Sequence, residues 1–177
     1  MTNRSFPRVF FPDERVPTVE DVDYEELLNS GIKAVIFDLD NTIARWGDEE
    51  LEDEMVELLD ELSSLGLKVG ILSNSGGEAI KNFVQDLPCP HLFNANKPSG
   101  TGFRLMLEEF DVRPEEVAMI GDQLFTDVLG ANRMNMYTIR VDPIDPDREY
   151  RFTKINRIGE TVLLSLREAY RALKRFN

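Results

Sequence analysis

One cysteine and one histidine occur among 177 residues. Cys89 alone cannot close an internal disulfide, so the expected compartment is a reducing cytoplasm. No His/Cys set is available for a usual zinc site. His91 lies in "PCPHLF", away from the polar clusters described below, so neither a Ser-His-Asp triad nor a Cys-His pair is workable. No apolar run approaches the ~20 residues of a membrane span. Pro7, Arg8 and Pro12 break "MTNRSFPRVFFP" too early for a signal peptide. Repeats, low-complexity segments and a glycine-rich phosphate loop of the P-loop type are also missing.

Positive charge is scarce and unevenly placed. From Arg148 to Asn177 eight basic and three acidic residues give +5, while the remainder holds 12 basic and 30 acidic residues, or −18. Such a body is a poor partner for nucleic acid. Length and apolar content suit a single domain over 1–177, with a core at about 32–141, an N-terminal extension over 1–31 and a basic C-terminal helix at about 153–175.

What the chain does hold is a series of buried-strand patterns. "IKAVIFD", "LKVGILSN" and "EVAMIGD" are continuous apolar runs, as in parallel strands covered on both faces. "HLFNANKP" and "MYTIRV" read as weaker strands. "YEELLNSG" predicts a short helix stopped by Gly31. Leu51, Met55, Leu58, Leu59, Leu62 and Leu65 recur at helical spacing before Gly66. Further helices are expected over 76–86, around Phe103, Leu107 and Phe110, and over 126–134. Strands alternating with helices predict a doubly wound α/β sheet in three layers, with ligands beyond the carboxyl ends of the strands.

Polar clusters sit at those ends: "FDLDNT", "LSNS", "NANKP" and "GDQLFTD". In a strand, Asp38 and Asp40 would share a side. Two carboxylates so close repel unless a cation or a shared proton relieves them. With Asp122 and Asp127 they make an oxygen-rich pocket of the kind that holds Mg2+. Lys97 adds a fixed positive charge and Ser73 a hydroxyl. These parts suit phosphoryl transfer to a carboxylate, with a second carboxylate as acid and base. Plainer readings exist: Ser73 also suits an N-cap, and Asp122 and Asp127 suit an N-cap and a first-turn acid.

In this order the clusters resemble the four motifs of the haloacid dehalogenase (HAD) superfamily, over about 32–141. The resemblance implies a HAD-like Rossmannoid fold and Mg2+ as cofactor. It makes Asp38 nucleophile and metal ligand. Asp40 becomes general acid/base and lends its backbone carbonyl to the metal. Asp122 becomes a metal ligand, and Asp127 stands behind it, orienting Lys97 or a metal-bound water. Thr42, Ser73, Asn74 and Lys97 are the expected phosphate-binding residues, Lys97 also catalytic. An aspartate at position 40 implies a phosphatase or phosphomutase rather than a dehalogenase or an ion pump. The gaps 43–72 and 74–96 leave no room for a cap domain.

Beyond the motifs, "FFPDERV", "GDQLFTDVLGANRMNM" and "FTKINR" resemble the YqeG-like branch of capless subclass III. That branch includes the mitochondrial type of phosphatidylglycerophosphatase. The resemblance implies phosphatidylglycerophosphate as substrate, the enzyme being cytoplasmic or peripheral to the inner face of an anionic membrane. The tail fits that reading, since Ile158, Val162, Leu163, Leu166, Tyr170 and Leu173 repeat at helical spacing beside Arg167, Arg171, Lys174 and Arg175. It equally fits a helix packed on the body. Arg45, Trp46, Gln123 and Arg133 are further candidates for reading the substrate. The alternatives are a soluble phosphatase for sugar phosphates, nucleotides or phosphoprotein, and a partner-binding scaffold that keeps the phosphate site.

Overall fold

In the computed structural model, which describes residues 8–76, 89–148 and 156–165, the apolar runs lie side by side. The strands are β1 (Glu14–Arg15), β2 (Ala34–Phe37), β3 (Lys68–Leu72), β4 (His91–Leu92), β5 (Val117–Gly121) and β6 (Tyr137–Arg140). They form one sheet in the order β1-β6-β5-β2-β3-β4, and every pairing is parallel. The helices are α1 (Tyr24–Asn29), α2 (Asp53–Ser64), α3 (Gly100–Phe110) and α4 (Leu129–Arg133). Residues 156–165 form a further helix, α5.

Alternation along each strand builds two cores. Val35, Phe37, Val69, Ile71, Ala118 and Ile120 face α1 and α2, where Leu27, Met55, Leu59 and Leu62 cover them. Ala34, Ile36, Leu72, Val117 and Met119 face the other way, against Phe103, Met106, Leu107 and Phe110 of α3 and Ala131 of α4. A strand buried on both faces has no polar side to show, which is why these segments are unbroken apolar runs. The fold is therefore the expected three-layer, doubly wound α/β sheet. From β2 the chain steps outward to β3 and β4, then returns to β5 on the opposite side and steps out to β6. That reversal opens a crevice between β2 and β5, the place where such sheets bind ligands.

Several expectations need adjusting. Leu65 lies past the end of α2 and is largely exposed, while Gly66 at φ 95° ends the helix. The helix expected at 126–134 starts earlier, as a π turn over Leu124–Val128 that runs into α4. β1 was not expected, because Glu14 and Arg15 carry no apolar signal. It forms through backbone pairing with Ile139 and Arg140, steadied by Asp13, whose carboxylate accepts from the Thr138 amide at 3.0 Å and hydroxyl at 3.1 Å. "VFFP" packs inward: Phe11 is buried, and the Asn132 amide donates to the carbonyls of Val9 (2.8 Å) and Phe11 (2.9 Å).

Residues 43–72 hold only α2 and β3 beyond their loops, with no inserted lid. The helix expected at 76–86 lies almost wholly outside the described residues, as do the tail's later cations. α5 meets the body through Glu160, which is buried, whereas Ile158 is 68% and Val162 54% exposed. The apolar stripe therefore faces outward at Ile158 and Val162, while Leu163 is half-buried and the polar Glu160 is turned inward.

Candidate active site

The loops after β5, β2, β3 and β4 stand side by side at the carboxyl edge of the sheet. They carry Asp122, Asp38, Ser73 and Lys97. β2 stops at Phe37, although the Asp38 amide still donates to Ile120 O at 2.9 Å. The chain then winds tightly: the Leu39 carbonyl accepts from Thr42, Ile43 and Ala44, and Asn41 takes a positive φ of 61°. Strand alternation therefore does not govern Asp40, yet Asp38 and Asp40 both line one cavity of about 440 Å³.

Lys97 sits at the centre of the charges. Its ammonium donates to Asp38 Oδ1 at 2.6 Å and Leu72 O at 2.7 Å, and pairs with Asp127 Oδ1 at 2.7 Å. Burial works against its charge, but Asp127 and Asp38 outweigh burial and hold the ammonium above its ordinary value. Burial raises the Asp38 carboxyl well above the usual range, with Lys97 pulling the other way. Asn74 fixes the Lys97 backbone at two points, donating to Lys97 O at 2.9 Å and accepting from Lys97 N at 2.6 Å. Asn74, an expected phosphate-binding residue, thus positions Lys97 and also lines the Asp38 cavity.

Ser73 is fully buried. Its hydroxyl donates to Asp40 Oδ2 at 3.3 Å and accepts from Ser75 N at 3.0 Å. Ser75 donates to the same Asp40 oxygen. On the far side, Asp127 Oδ2 accepts from Gln123 N at 3.1 Å. Gly121 makes room for that carboxylate, since a Cβ there would lie 2.5 Å from Asp127 Oδ2. Thr42 is buried but lines a separate cavity of about 460 Å³, with Arg45, Asp48 and Met55, and its hydroxyl has no partner among the described residues. Trp46 and Gln123 line the Asp38 cavity; Arg45 and Arg133 do not.

Oxygen atoms of Asp38, Asp122 and Asp127 lie within 4.8 Å of one another. Asp122 is fully buried. Its Oδ2 is paired with Arg157, while Oδ1 has no hydrogen-bond partner among the described residues. Burial pushes its carboxyl up to about 7, against the pull of Arg157. Three buried carboxylates converge here, with one oxygen orphaned. Hard oxygen donors with surplus negative charge fit a hard divalent cation. Ser75, Asn156, Arg157 and Glu160 were not foreseen. Ser75 follows the "LSN" motif directly and was within reach of a sequence reading. The α5 residues were not, because nothing local to them signals a partner more than thirty positions away.

The family model for haloacid dehalogenase-like hydrolases matches residues 44–135. The probable phosphatase YqeG of Bacillus subtilis is 35% identical over 158 residues, which are 89% of this chain and 91% of that protein. The chain belongs to the haloacid dehalogenase-like hydrolases. The mitochondrial phosphatidylglycerophosphatase GEP4 of Saccharomyces cerevisiae is 28% identical over 146 residues, 75% of this chain and 78% of that protein. A solved HAD-superfamily hydrolase from Ehrlichia chaffeensis shares the fold at TM-score 0.53 and 18% identity, over 72% of this chain and 96% of that one. Within the HAD-like hydrolases this chain is a phosphatase. Phosphatases of this family use a divalent metal, and the acidic cluster fits one.

Proposed function

We propose that this HAD-like phosphatase is Mg2+-dependent, works through an aspartyl phosphate on Asp38, and converts phosphatidylglycerophosphate to phosphatidylglycerol. The observation that carries the mechanism is the Lys97 ammonium held between Asp38 and Asp127, at a cavity that Asp40 also lines. Asp38 attacks phosphorus, and the bond to the leaving oxygen breaks as Asp40 protonates it. Asp40, now a carboxylate, takes a proton from water as that water attacks phosphorus. The bond to the Asp38 oxygen then breaks, releasing phosphate and restoring both side chains. Lys97 screens the anionic phosphate from the anionic nucleophile, and Asp127 and Asn74 hold Lys97 in place. Ser73 and Thr42 belong to the loops that receive the phosphoryl group. Mg2+, held by Asp38, Asp122 and the Asp40 carbonyl, would neutralise charge on the phosphoryl oxygens.

The lipid assignment rests on similarity to a relative named for that substrate and on an open site. The segment between Asp38 and Ser73 carries no lid, Trp46 at the cavity is 39% exposed, and α5 brings Asn156 to the same cavity. Among the described residues no helix is long and apolar enough to cross a membrane. Peripheral attachment of the cytoplasmic enzyme to anionic lipid, through the basic tail and the outward Ile158 and Val162, would suit such a substrate. We read the whole chain as one domain, with β1 completing the sheet edge and α5 closing on the Asp122 loop.

The test is phosphate release from phosphatidylglycerophosphate in mixed micelles with Mg2+, beside a panel of soluble phosphomonoesters, using wild type and Asp38→Asn. Preference for the lipid, abolished in Asp38→Asn, is expected. Equal or faster turnover of a soluble ester would overturn the lipid assignment. No turnover of any ester would favour the scaffold reading.

A further inference from the structure

"FTKINR" ends in Arg157, a residue that the phosphatase chemistry above does not use. Arg157 Nη2 pairs with Asp122 Oδ2, and Nη1 donates to the Asp122 carbonyl at 2.8 Å. One guanidinium thus grips the side chain and the backbone of the same residue, a two-pronged hold that an ammonium cannot reproduce. Arg140 Nε donates to that same carbonyl at 3.0 Å. Glu160 stands behind both arginines, 3.3 Å from Arg140 Nη2 and 3.5 Å from Arg157 Nη1. Its other oxygen accepts from Leu124 N at 2.6 Å. The 122–124 loop is therefore pinned at three points by α5: one carboxylate oxygen, one carbonyl and one amide. Behind the loop, Phe125 stacks edge-on against Phe10 at 6.1 Å, and an added Cβ on Gly159 would lie 2.9 Å from its ring. The helix is seated closely on the loop.

The consequence lies at the other carboxylate oxygen. With Oδ2 held by Arg157, Oδ1 of Asp122 is left without a hydrogen-bond partner among the described residues, and Asp122 offers one carboxylate oxygen to the cluster with Asp38 and Asp127. We infer that Arg157, braced by Glu160 and Arg140, is a positioning residue that sets the torsion of Asp122 and so presents Oδ1 to a divalent cation. This rests on the reading of Asp122 as a metal ligand and extends it. The outer partner of that ligand comes from the C-terminal helix, outside the four-motif core. Outer partners of metal ligands typically matter by about 10–100-fold in affinity. By linkage, cation binding and α5 docking must favour each other to the same degree.

The test is Mn2+ affinity without substrate, from the free-ion EPR signal, with the metal-free thermal midpoint as a folding control. Arg157→Lys keeps the charge and loses the two-pronged grip, so a change in Coulomb repulsion cannot explain its result. Its Kd for Mn2+ is expected to rise at least about tenfold. An unchanged Kd, whatever happens to the thermal midpoint, would overturn the inference. If Arg157→Lys does not fold, Glu160→Gln, whose amide oxygen can still accept from Leu124, loosens the brace behind both Arg157 and Arg140. A several-fold weaker Kd is expected there, and an unchanged one would overturn the inference. Asp122→Asn tests the underlying reading separately: if Mn2+ binds it as it binds wild type, the metal assignment of Asp122 itself fails.

Discussion

Two cations meet the acidic cluster, and they arrive by different routes. Lys97 comes from the loop after β4. Its side chain is 2% exposed, and it is fixed by Asp38, Asp127, the Leu72 carbonyl and the Asn74 clamp. Arg157 comes from α5, is 18% exposed, and is fixed mainly to Asp122 and Glu160. The first cation is part of the sheet edge and is in place whenever the core is folded. The second is in place only when α5 is docked. Charge for the chemistry is thus built into the core, while one carboxylate of the cluster is held from a helix outside the sheet.

The comparison predicts a graded series. Lys97→Met leaves two buried carboxylates without their cation, so it is expected to cost about 3–5 kcal/mol in urea unfolding of the metal-free protein. A loss below about 1 kcal/mol would place Lys97 on a level with surface pairs and break the distinction. Gly121→Ala would put a methyl 2.5 Å from Asp127 Oδ2 and 2.7 Å from its Cβ, and is expected to cost about 1–3 kcal/mol and to reduce turnover. Wild-type stability and rate would show that the Asp127–Lys97 contact is slack.

Glu116 offers a pH test away from the site. Hydrogen bonds from Arg113 and Lys33 hold its carboxyl down to about 2 from an ordinary 4.5. A depressed carboxylate stabilises the fold above its unfolded value, and that contribution is lost as pH falls toward its folded value. The stability gap between wild type and Glu116→Gln is expected to shrink from pH 4.5 to 2, as followed by acid titration of the circular dichroism signal. A constant gap would refute it. Smallest of all, Arg15→Ala breaks a pair with Asp142 whose side chains are 58% and 50% exposed, and is expected to cost about 1 kcal/mol or less.

The same contrast explains what could be read from the sequence. β2, β3 and β5 were legible because two-sided burial leaves an unbroken apolar run, and the residues after them inherit the sheet's carboxyl edge. Asp38, Asp40, Lys97, Asp122 and Asp127 meet there because parallel topology brings those ends together. Contacts made by backbone or across long separations were not legible. β1 has two polar residues and pairs through its main chain. Asn74 clamps Lys97 from another loop, and Thr42 turns to a neighbouring cavity because the Leu39 carbonyl winds the loop tightly. On α5 the apolar spacing of Ile158 and Val162 suggested a docked face, but three polar anchors at Asp122 and Leu124 outweigh two aliphatic side chains in choosing which side turns inward.

The central claim is that Asp38 itself receives the phosphoryl group. The most direct measurement is to quench the enzyme during turnover of a phosphomonoester, reduce it with borohydride, and map the peptides by mass spectrometry. An acyl phosphate is reduced to the alcohol, so residue 38 is expected to appear as homoserine, only in substrate-treated protein and not in Asp38→Asn. Steady turnover with residue 38 left as aspartate would contradict the account and point to direct attack by water.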